Sequence, residues 1–434
     1  MRVGFAGLTH LGILYGMATA AQGMKVCGFD PNEKLVADLK KGKFPVNEPG
    51  LRALWQRFRG RVEWGSQPAL LEKCDLVFFS LDVSTDQKDR SDTRPLEMLI
   101  RTTLNSLRPG TTVVLISQVD PGFSRKKFIP LAEKCGLEAF YQVETLVFGR
   151  AVQRAMHPER FIVGARDPQK ALPLKFQRWH RSFGCPVLVM GLESAELSKI
   201  AINFFLVSSV CTTNTLAEAS AMVGAEWLQI APALRLDARI GPKAYLSPGL
   251  GVGGGNLPRD LQTLRTIVKG KGANLSLVKG WTQASRHHRD WAVRTYRTAL
   301  RQNKISSSSA KVAVWGVAYK EDTSSTKNSP AVHFLTSAPA KLKKTYDPVA
   351  ILPRRIKGVK QVWSALDACR GADVLVILAP WKQFREMDSV KTLSVMKRRI
   401  VIDPYQVLKP SDWRKSRADC YTLGEGTHHA KAPF

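Results

Sequence analysis

The N-terminal segment alternates short apolar runs with turn residues in the order strand, helix, strand. Residues 2–6 (Arg-Val-Gly-Phe-Ala) have the length and composition of a buried strand, and "GLTHLG" follows as a turn. An alanine-rich helix is expected from Leu11, and "MKVCGFD" predicts a second strand that ends at Asp30. A strand, a glycine turn, a helix and an acid-terminated strand within about 30 residues form the unit that holds a dinucleotide.

Two later segments continue the same type of fold. "CDLVFFSLDV" and "GTTVVLIS" are apolar, rich in β-branched residues and bounded by turn residues, as parallel strands buried on both faces are. We therefore expect an α/β fold in which residues 1–190 form a Rossmann-like, doubly wound parallel sheet.

The middle of the chain changes to helical periodicity. "SAELSKIAINFFLVSSVCTTNTLAEASAMVG" predicts one long helix that ends near Gly224, and further helices follow it. Residues 191–300 are thus expected to form a central helical domain. Because a long apolar helix often forms the interface of a symmetric dimer, we also expect a homodimer.

The last part of the chain returns to alternating strands and helices. "KISSSSA" is typical of a serine-rich linker. After it, "KVAVWGVAYK", "KKTYDP", "ADVLVILAPW" and "RIVIDPY" predict strands separated by helices. Residues 301–434 are therefore expected to form a second, smaller Rossmann-like α/β domain.

The bulk composition narrows the class of protein. The chain has 434 residues, of which 44% are hydrophobic and 23% charged, as in globular proteins. No apolar run reaches the roughly 20 residues of a membrane-spanning helix, so we expect a cytoplasmic protein without a membrane segment. The cysteines include no C-x-x-C pair and are expected to be reduced.

The chain is strongly basic. A formal net charge of +29 attracts anions such as nucleotide phosphates, nucleic acid or acidic polysaccharide. The basic residues are spread through segments such as "RHHRDWAVRTYR" without a nucleic-acid-binding motif, which favours a solvated basic surface. A dedicated site for nucleic acid or another polyanion is the alternative. His287 and His288 are adjacent in a helical stretch, so their rings should diverge, and we expect no metal site.

The glycine turn departs from the usual dinucleotide pattern at its centre. In G-x-G-x-x-G the second glycine lets backbone N–H groups approach the pyrophosphate, but Thr9 lies there between Gly7 and Gly12. Either the loop shifts, or the Thr9 hydroxyl donates to a phosphate, or cofactor affinity has been lost. Asp30 suits the ribose hydroxyls and repels a 2′-phosphate, which favours NAD over NADP. The candidate cofactor-binding residues are Gly7, Thr9, Leu11, Gly12 and Asp30, and a Rossmann domain without cofactor is the alternative.

Several short segments share a family pattern in their order and spacing. They are "VNEPGL" at 46–51, "PGTTVVLIS" at 109–117, "AVQRAMHPERFIVG" at 151–164, "KIAINFFL" at 199–206, "LDARIGPKAYLSPGLGVGGGNLPRDL" at 236–261, "VAYKEDT" at 317–323, "NSPA" at 328–331 and "YDPVA" at 346–350. Together they resemble the UDP-glucose/GDP-mannose dehydrogenase family over nearly the whole chain.

The resemblance implies a known chemistry with one part missing. Members of this family oxidise the C6 hydroxymethyl group of a nucleotide-linked sugar to a carboxylate, using two NAD+ and a cysteine. The cysteine captures the intermediate aldehyde, a second hydride transfer gives a thioester, and water cleaves it. The resemblance places this cysteine at position 256, where the chain has asparagine, and places the later of two family glutamates at Phe148.

The other catalytic positions of the family are present. Lys199 and Asn203 are four residues apart and therefore share one face of the predicted long helix. The resemblance implies that they hold a water or the substrate oxygen together with Asp260, and it matches Glu144 to the first family glutamate. An ammonium group beside a developing alkoxide stabilises it electrostatically. The candidate catalytic residues are Lys199, Asn203, Asn256, Asp260 and Glu144.

The substrate side of the resemblance centres on the glycine-rich stretch at 251–255. Its bare backbone is expected to approach the sugar and phosphate closely, although such loops are also common connectors. The candidate substrate-binding residues are Arg239, Tyr245, Gly251, Gly253, Gly254 and Lys320. Lys327 replaces a family arginine and is expected to bind the cofactor more weakly than a bidentate guanidinium would.

An amide cannot store an acyl group, because its lone pair is delocalised and it has no thiolate-like form. We therefore expect an NAD-dependent oxidoreductase that transfers a single hydride from the C6 alcohol of a UDP-hexose and gives the aldehyde. One alternative is an epimerase or dehydratase that oxidises its nucleotide sugar transiently, with no net redox change. The other is a non-catalytic nucleotide-sugar-binding or assembly protein.

Overall fold

The computed structural model describes residues 1–86, 89–425 and 427–428. The chain divides into two units. The first contains Met1–Ile202 and Gln262–Ile267, and the second contains Asn203–Leu261 and the residues from Val268 onward.

The first unit contains an eight-stranded sheet and the helices that cover it. The strands of the sheet are β1 (Arg2–Ala6), β2 (Lys25–Phe29), β3 (Val62–Gly65), β4 (Leu76–Phe79), β7 (Thr112–Leu115), β8 (Glu138–Gln142), β9 (Phe161–Ala165) and β10 (Val187–Gly191). Two short strands, β5 (Ser84–Thr85) and β6 (Ser91–Asp92), form a separate antiparallel pair. The helices of the unit are α1 (His10–Ala21), α2 (Glu33–Lys40), α3 (Leu51–Phe58), α4 (Arg94–Leu104), α5 (Ile129–Lys134), α6 (Ala151–Met156), α7 (Leu174–Arg181) and the start of α8 (Leu192–Met222).

The strand order of this sheet is β10-β9-β8-β7-β4-β1-β2-β3, and all neighbours are parallel except β8 and β9. The order therefore reverses between β1 and β4, as in the doubly wound sheets that bind nucleotides at that point. Alternate side chains of each strand enter opposite cores. Phe5 and Phe78 lie in one cluster, whereas Val77 and Phe79 lie in the other. Both faces are covered, so the sequence reads as continuous apolar runs.

The second unit contains another sheet of the same type. Its helices after α8 are α9 (Trp227–Leu236), α10 (Asn256–Ile267, of which residues 262–267 belong to the first unit), α11 (Ser276–Arg289), α12 (Trp291–Gln302), α13 (Pro330–Ser337), α14 (Ala365–Cys369), α15 (Lys382–Arg385), α16 (Ser389–Ser394) and α17 (Pro410–Lys415). Its strands are β11 (Lys311–Trp315), β12 (Leu342–Tyr346), β13 (Val359–Gln361), β14 (Val374–Ile377), β15 (Ile400–Ile402), β16 (Asp419–Tyr421) and β17 (Thr427–His428).

The second sheet has the order β13-β12-β11-β14-β15-β16-β17, and only the last pair is antiparallel. The order reverses at β11 and β14, as it does at β1 and β4 in the first sheet. The predicted α/β class with two Rossmann-like sheets is thus confirmed. The division at residues 190 and 300 stays a prediction.

Helix α8 has 31 residues and ends two residues before the predicted Gly224. Its most apolar 18-residue window has a mean hydropathy of 1.4, so by length and composition alone it could cross a membrane. The core helix of a globular protein can have the same length and composition, so the expected lack of a membrane segment stays a prediction. The helix also carries Glu196, which accepts hydrogen bonds from the N–H groups of Gly122 (2.5 Å) and Ser124 (2.9 Å). A carboxylate bonded in this way is typical of a core helix and costly within lipid.

Asp403 lies directly after β15 and is 1% exposed. Its Oδ2 accepts a hydrogen bond from the N–H of Leu408 at 2.9 Å. Its Oδ1 is buried and has no hydrogen-bond partner among the described residues. Burial raises the pKa of Asp403 from 3.8 to about 6.

This raised pKa predicts a pH-dependent stability. Between pH 3.8 and about 6 the folded chain retains a proton that the unfolded chain loses, so stability falls as the pH rises through this window. The free energy of unfolding falls by at most about 3 kcal/mol across this window. Asp403→Asn removes this group, so the fall in thermal midpoint from pH 4 to pH 8 should be smaller than in the unmodified chain. Identical pH profiles for the two proteins would contradict the assignment.

Candidate active site

The glycine turn connects β1 to α1 and packs closely against the end of β4. Gly7 has a φ of +90°, and a Cβ atom there would lie 2.8 Å from the backbone N of Leu81. A Cβ atom on Gly12 would lie 2.1 Å from the carbonyl oxygen of Gly7. Both positions therefore require glycine, for backbone conformation and for close contact of helix and strand. This is the geometry that the sequence pattern predicts.

Asp30 lies at the end of β2, as predicted, and is buried. Its Oδ2 accepts a hydrogen bond from the N–H of Leu8 (2.8 Å), and its Oδ1 accepts one from Asn32 (3.0 Å). A carboxylate has about four lone pairs, so these bonds leave acceptor capacity for ribose hydroxyls. Leu11, in contrast, places its side chain in the core. It can contribute to a cofactor site only through its backbone.

Thr9 uses its hydroxyl within the protein. The Oγ1 atom donates to the carbonyl oxygen of Ser80 (3.2 Å) and accepts from the N–H of Asp82 (2.8 Å). Because a hydroxyl has one hydrogen, it has none left for a phosphate. In this arrangement of the loop the Thr9 hydroxyl donates to Ser80, and its donation to a pyrophosphate stays a prediction.

The first residue of α1, His10, is buried, and its imidazole is hydrogen-bonded to Glu48. Its Nε2 lies 2.9 Å from Oε1 of Glu48. Glu48 also accepts hydrogen bonds from the N–H groups of Gly149 and Ala151. The ring of Phe148 stacks on the imidazole with 4.4 Å between centroids. Phe148 thus makes an aromatic contact where the resemblance places a glutamate.

Lys199 and Glu144 form a buried ion pair in the first unit. The Nζ atom of Lys199 lies 2.7 Å from Oε1 of Glu144, and both side chains are about 10% exposed. Oε2 of Glu144 accepts a hydrogen bond from the N–H of Leu146 at 3.0 Å. The structure therefore brings together two predicted catalytic residues, with the ammonium already beside a carboxylate.

Asn203 and Asp260 form a second buried contact, in the second unit. The Asn203 amide donates to Oδ2 of Asp260, and Asp260 is 1% exposed. Asn203 lies one turn after Lys199 on α8, as the spacing predicts. The two pairs are thus connected by one helix.

Asn256 is the first residue of α10, and Arg259 lies one turn further on. Oδ1 of Asn256 lies 3.4 Å from Nη2 of Arg259, and Nε of Arg259 lies 3.4 Å from Oδ1 of Asp260. The Arg259 side chain is 8% exposed. Arg259 was not among the predicted site residues. Its signal was a cation three residues after Asn256 on a helix, the spacing at which side chains contact.

The glycines of the 251–255 loop are needed for contacts within the second unit. Gly251 has a φ of +75°, and a Cβ atom there would lie 2.4 Å from the carbonyl oxygen of Ser285. Cβ atoms on Gly253 and Gly254 would lie 3.1 Å and 2.8 Å from Tyr319. Protein atoms therefore fill the side-chain positions of these glycines. Their backbone role toward a sugar stays a prediction.

The remaining substrate candidates lie in different surroundings. The Arg239 guanidinium is bonded to Asp237 through two N–H···O contacts of 3.0 and 2.6 Å, and its side chain is 89% exposed. Tyr245 is 49% exposed. The Lys320 ammonium lies 6.0 Å from the ring centroid of Tyr319, next to the glycine loop. Lys327, predicted to bind cofactor, accepts a hydrogen bond from the N–H of Gly254 through its backbone carbonyl.

His287 and His288 do not diverge as expected. Their Nε2 atoms lie 2.8 Å and 3.3 Å from Oε2 of Glu218, and the three potential ligand atoms lie within 4.8 Å of one another. A guanidinium is part of this cluster, because Nη2 of Arg294 lies 3.0 Å from Nε2 of His287 and 3.3 Å from Oε1 of Glu218. Arg294 thus supplies a positive charge beside the carboxylate.

Three models of one family match successive parts of the chain. The NAD binding domain of the UDP-glucose/GDP-mannose dehydrogenase family matches residues 1–182, its central domain matches 193–286, and its UDP binding domain matches 313–410. The matched segments cover most of the chain in the order that the resemblance predicts.

Individual relatives and a solved structure agree with this order. A putative UDP-glucose 6-dehydrogenase of Bacillus subtilis (strain 168), YtcA, is 28% identical over 418 residues, which are 94% of this chain and 96% of the relative. The UDP-glucose 6-dehydrogenase TuaD of the same organism is 27% identical over 419 residues, with 93% and 88% covered. A structure described as UDP-D-ManNAc dehydrogenase from Pyrococcus horikoshii has a TM-score of 0.85 at 22% identity, with 98% and 100% covered, and supports the fold alone.

The cofactor and substrate classes follow from the matched domains. Residues 1–182 form an NAD-binding domain, and the geometry of Gly7, Gly12 and Asp30 fits NAD at the turn. The contacts of Thr9 are the departure from that fit. Residues 313–410 form a UDP-binding domain, which supports a nucleotide-sugar substrate. The chain therefore belongs to the UDP-glucose/GDP-mannose dehydrogenase family.

Proposed function

We propose that this protein oxidises the C6 alcohol of a UDP-hexose to the aldehyde in one hydride transfer and does not continue to the acid. The proposal is carried by the contact of Asn256 with the buried Arg259, at the position where the resemblance places the family cysteine. NAD, when bound, supplies the acceptor for the hydride. The residues of the chain then have to bind the sugar, hold its oxygen and direct the departing proton.

Lys199 stabilises the negative charge that develops on the C6 oxygen. Its ammonium is buried, so its interaction with an alkoxide is screened less than it would be in water. Glu144, at 2.7 Å, positions this ammonium and balances its charge before the substrate binds. Glu144 is thus a positioning residue in this reaction.

Asn203 and Asp260 hold the water that takes the proton of the alcohol. The Asn203 amide donates to one carboxylate oxygen of Asp260, which fixes the carboxylate, while Arg259 is near the other oxygen. A carboxylate accepts hydrogen bonds only, so a water bound there directs a lone pair toward the substrate hydroxyl. The proton passes from the C6 hydroxyl to this water, which gives one of its own protons to the Asp260 carboxylate.

Arg259 determines how the Asn256 carboxamide is turned. A guanidinium donates and cannot accept, so the oxygen of the amide faces Arg259 and its NH2 group faces away. That NH2 group is then the side of Asn256 that donates to the carbonyl oxygen of the aldehyde. The aldehyde is held but not attacked, because an amide nitrogen is not a nucleophile under these conditions.

The joint change of two positions supports a reaction that ends at the aldehyde. Hydrolysis of a thioester requires the family cysteine and is assisted by the later glutamate, and this chain has Asn256 and Phe148 there. Phe148 stacks on His10, so it has a packing role in place of a catalytic one. Without a thioester, a glutamate at this position has no water to activate.

We further propose a cytoplasmic homodimer that uses helix α8. Apolar side chains on α8 are exposed, including Phe205 at 78% and Met222 at 77%. Exposed apolar area of this kind is typical of a surface that a partner covers. In solution the dimer would be detected by light scattering.

The oxidation can be tested by counting electrons. The purified protein, incubated with NAD and UDP-glucose or related UDP-hexoses, should form one NADH per sugar and an aldehyde that mass spectrometry detects after trapping with a hydroxylamine. Two NADH per sugar with a uronic acid would contradict the proposal. An isomerised or dehydrated sugar without NADH would instead support transient oxidation, and no binding of any nucleotide sugar would support a structural role.

Restoring the nucleophile should not restore the family reaction. In Asn256→Cys the Arg259 contact to the amide is lost, and Phe148 still stands where a water-activating glutamate is needed. We expect less uronic acid than aldehyde from this variant, whereas the double variant Asn256→Cys with Phe148→Glu should give more acid. Rapid acid formation by the single variant would show that position 148 is irrelevant to hydrolysis.

The Lys199–Glu144 pair should affect both turnover and stability. Lys199→Ala removes the alkoxide partner and leaves Glu144 as an uncompensated buried charge, which costs roughly 3–5 kcal/mol of stability. Glu144→Gln should reduce turnover less, because it keeps a polar partner for Lys199. Measured kcat and thermal midpoints of both single variants and the double variant form a cycle. Additive effects on the thermal midpoint would show that the two groups are not coupled.

A further inference from the structure

A carboxylate of the protein lies at the start of helix α1. Asp82 follows the last residues of β4, and its Oδ2 accepts a hydrogen bond from the N–H of His10 at 2.9 Å. Its own N–H donates to the hydroxyl of Thr9 at 2.8 Å. The loop after β4 is thereby bonded to the glycine turn through both the backbone and the side chain of Asp82.

The start of this helix is the position that a dinucleotide-binding unit uses for the pyrophosphate. The first N–H groups of a helix have no partner within it and carry partial positive charge, so they bind anions. In this chain the N–H of His10 already has an anionic acceptor. A pyrophosphate and the Asp82 carboxylate cannot both use this group without strong repulsion between like charges.

Asp82 differs from the other acids near the turn because its carboxylate can rotate away from the start of helix α1. Asp30 and Glu48 are buried, and each is bonded to at least two groups of the first unit. Asp82 is an exposed residue, but burial of its carboxyl group against the turn raises the pKa of this group. The carboxylate gains hydration when it rotates away from His10. Release of Asp82 therefore breaks its hydrogen bonds to His10 and Thr9 and moves its charge into water.

We propose that Asp82 competes with the NAD pyrophosphate for the start of helix α1 and thereby sets the affinity for the cofactor. NAD binds when the loop after β4 releases the N–H of His10. Thr9 is held by the same loop, so its displacement accompanies that of Asp82. The inference rests on NAD as the cofactor and goes beyond the oxidation proposed above, because it concerns binding and not chemistry.

The test measures NAD affinity by isothermal titration calorimetry in the full chain and in two variants. Asp82→Asn keeps an acceptor for the N–H of His10 but removes the charge, and Asn is a good acceptor at a helix start. Asp82→Ala removes both. Asp86→Asn is the control, because Asp86 is an exposed acid of the same loop that pairs with Arg90. The thermal midpoint of each protein without NAD is the second measurement.

We expect Asp82→Asn to bind NAD about tenfold more tightly at low salt, the factor that 1.4 kcal/mol represents. The gain should shrink at high salt, because exposed charges are screened. Asp82→Ala should also bind more tightly while its thermal midpoint falls, and Asp86→Asn should resemble the unmodified chain. A merely structural Asp82 would lower affinity and thermal midpoint together.

Two results would overturn the inference. If Asp82→Asn and the unmodified chain bind NAD equally well, the carboxylate does not compete, and the proposed oxidation is unaffected. If all the folded variants fail to bind at millimolar NAD, Asp82 is not what limits affinity, and the proposed oxidation fails with it. Adenosine has no phosphate, so it does not compete with Asp82 for the N–H of His10. Its affinity should therefore be the same in all four proteins.

Discussion

The parallel pairing of β1 with β4 is the constraint on which the cofactor end of the first unit depends. It places the ends of both strands at the same edge of the sheet, with Ala6 opposite Phe79. The turn after β1 and the loop after β4 must then occupy adjacent space, and Gly7 is needed because a Cβ atom would meet Leu81. The same pairing brings Thr9 to Ser80. One register thus decides which groups can reach a phosphate.

Buried polar groups are matched in pairs along helix α8. Lys199 forms an ion pair with Glu144, and Asp260 accepts a hydrogen bond from the neutral amide of Asn203, so each of these buried ionisable groups has a polar partner. Removing one partner of such a contact is costly, so these pairs contribute to stability in addition to their proposed roles in the reaction. A substrate oxygen has to compete with Glu144 for the ammonium. The proposed chemistry therefore uses groups that the fold already holds in place, with less reorganisation when the substrate binds.

The sequence predicts the fold well and the contacts of single side chains poorly. Strands such as β1 and β4 are recognised because buried parallel strands are continuous apolar runs, and Gly7 and Asp30 follow from the geometry of the turn. The hydroxyl bonds of Thr9 depend on residues 71 and 73 positions away in the sequence, so no local pattern contains them. Arg259 lies within the segment 236–261 that resembles the family, but its contact with Asn256 depends on the three-dimensional arrangement of helix α10.

The overall charge and the local charge at the turn have opposite signs. A net charge of +29 attracts nucleotides over long distances, but salt screens such a field within about 8–10 Å. At the turn itself, two acids, Asp30 and Asp82, are bonded to the backbone. The proposed specificity therefore rests on the acids at the turn, whereas the basic surface raises the local concentration of every anion. The two effects act at different distances, so neither predicts the other.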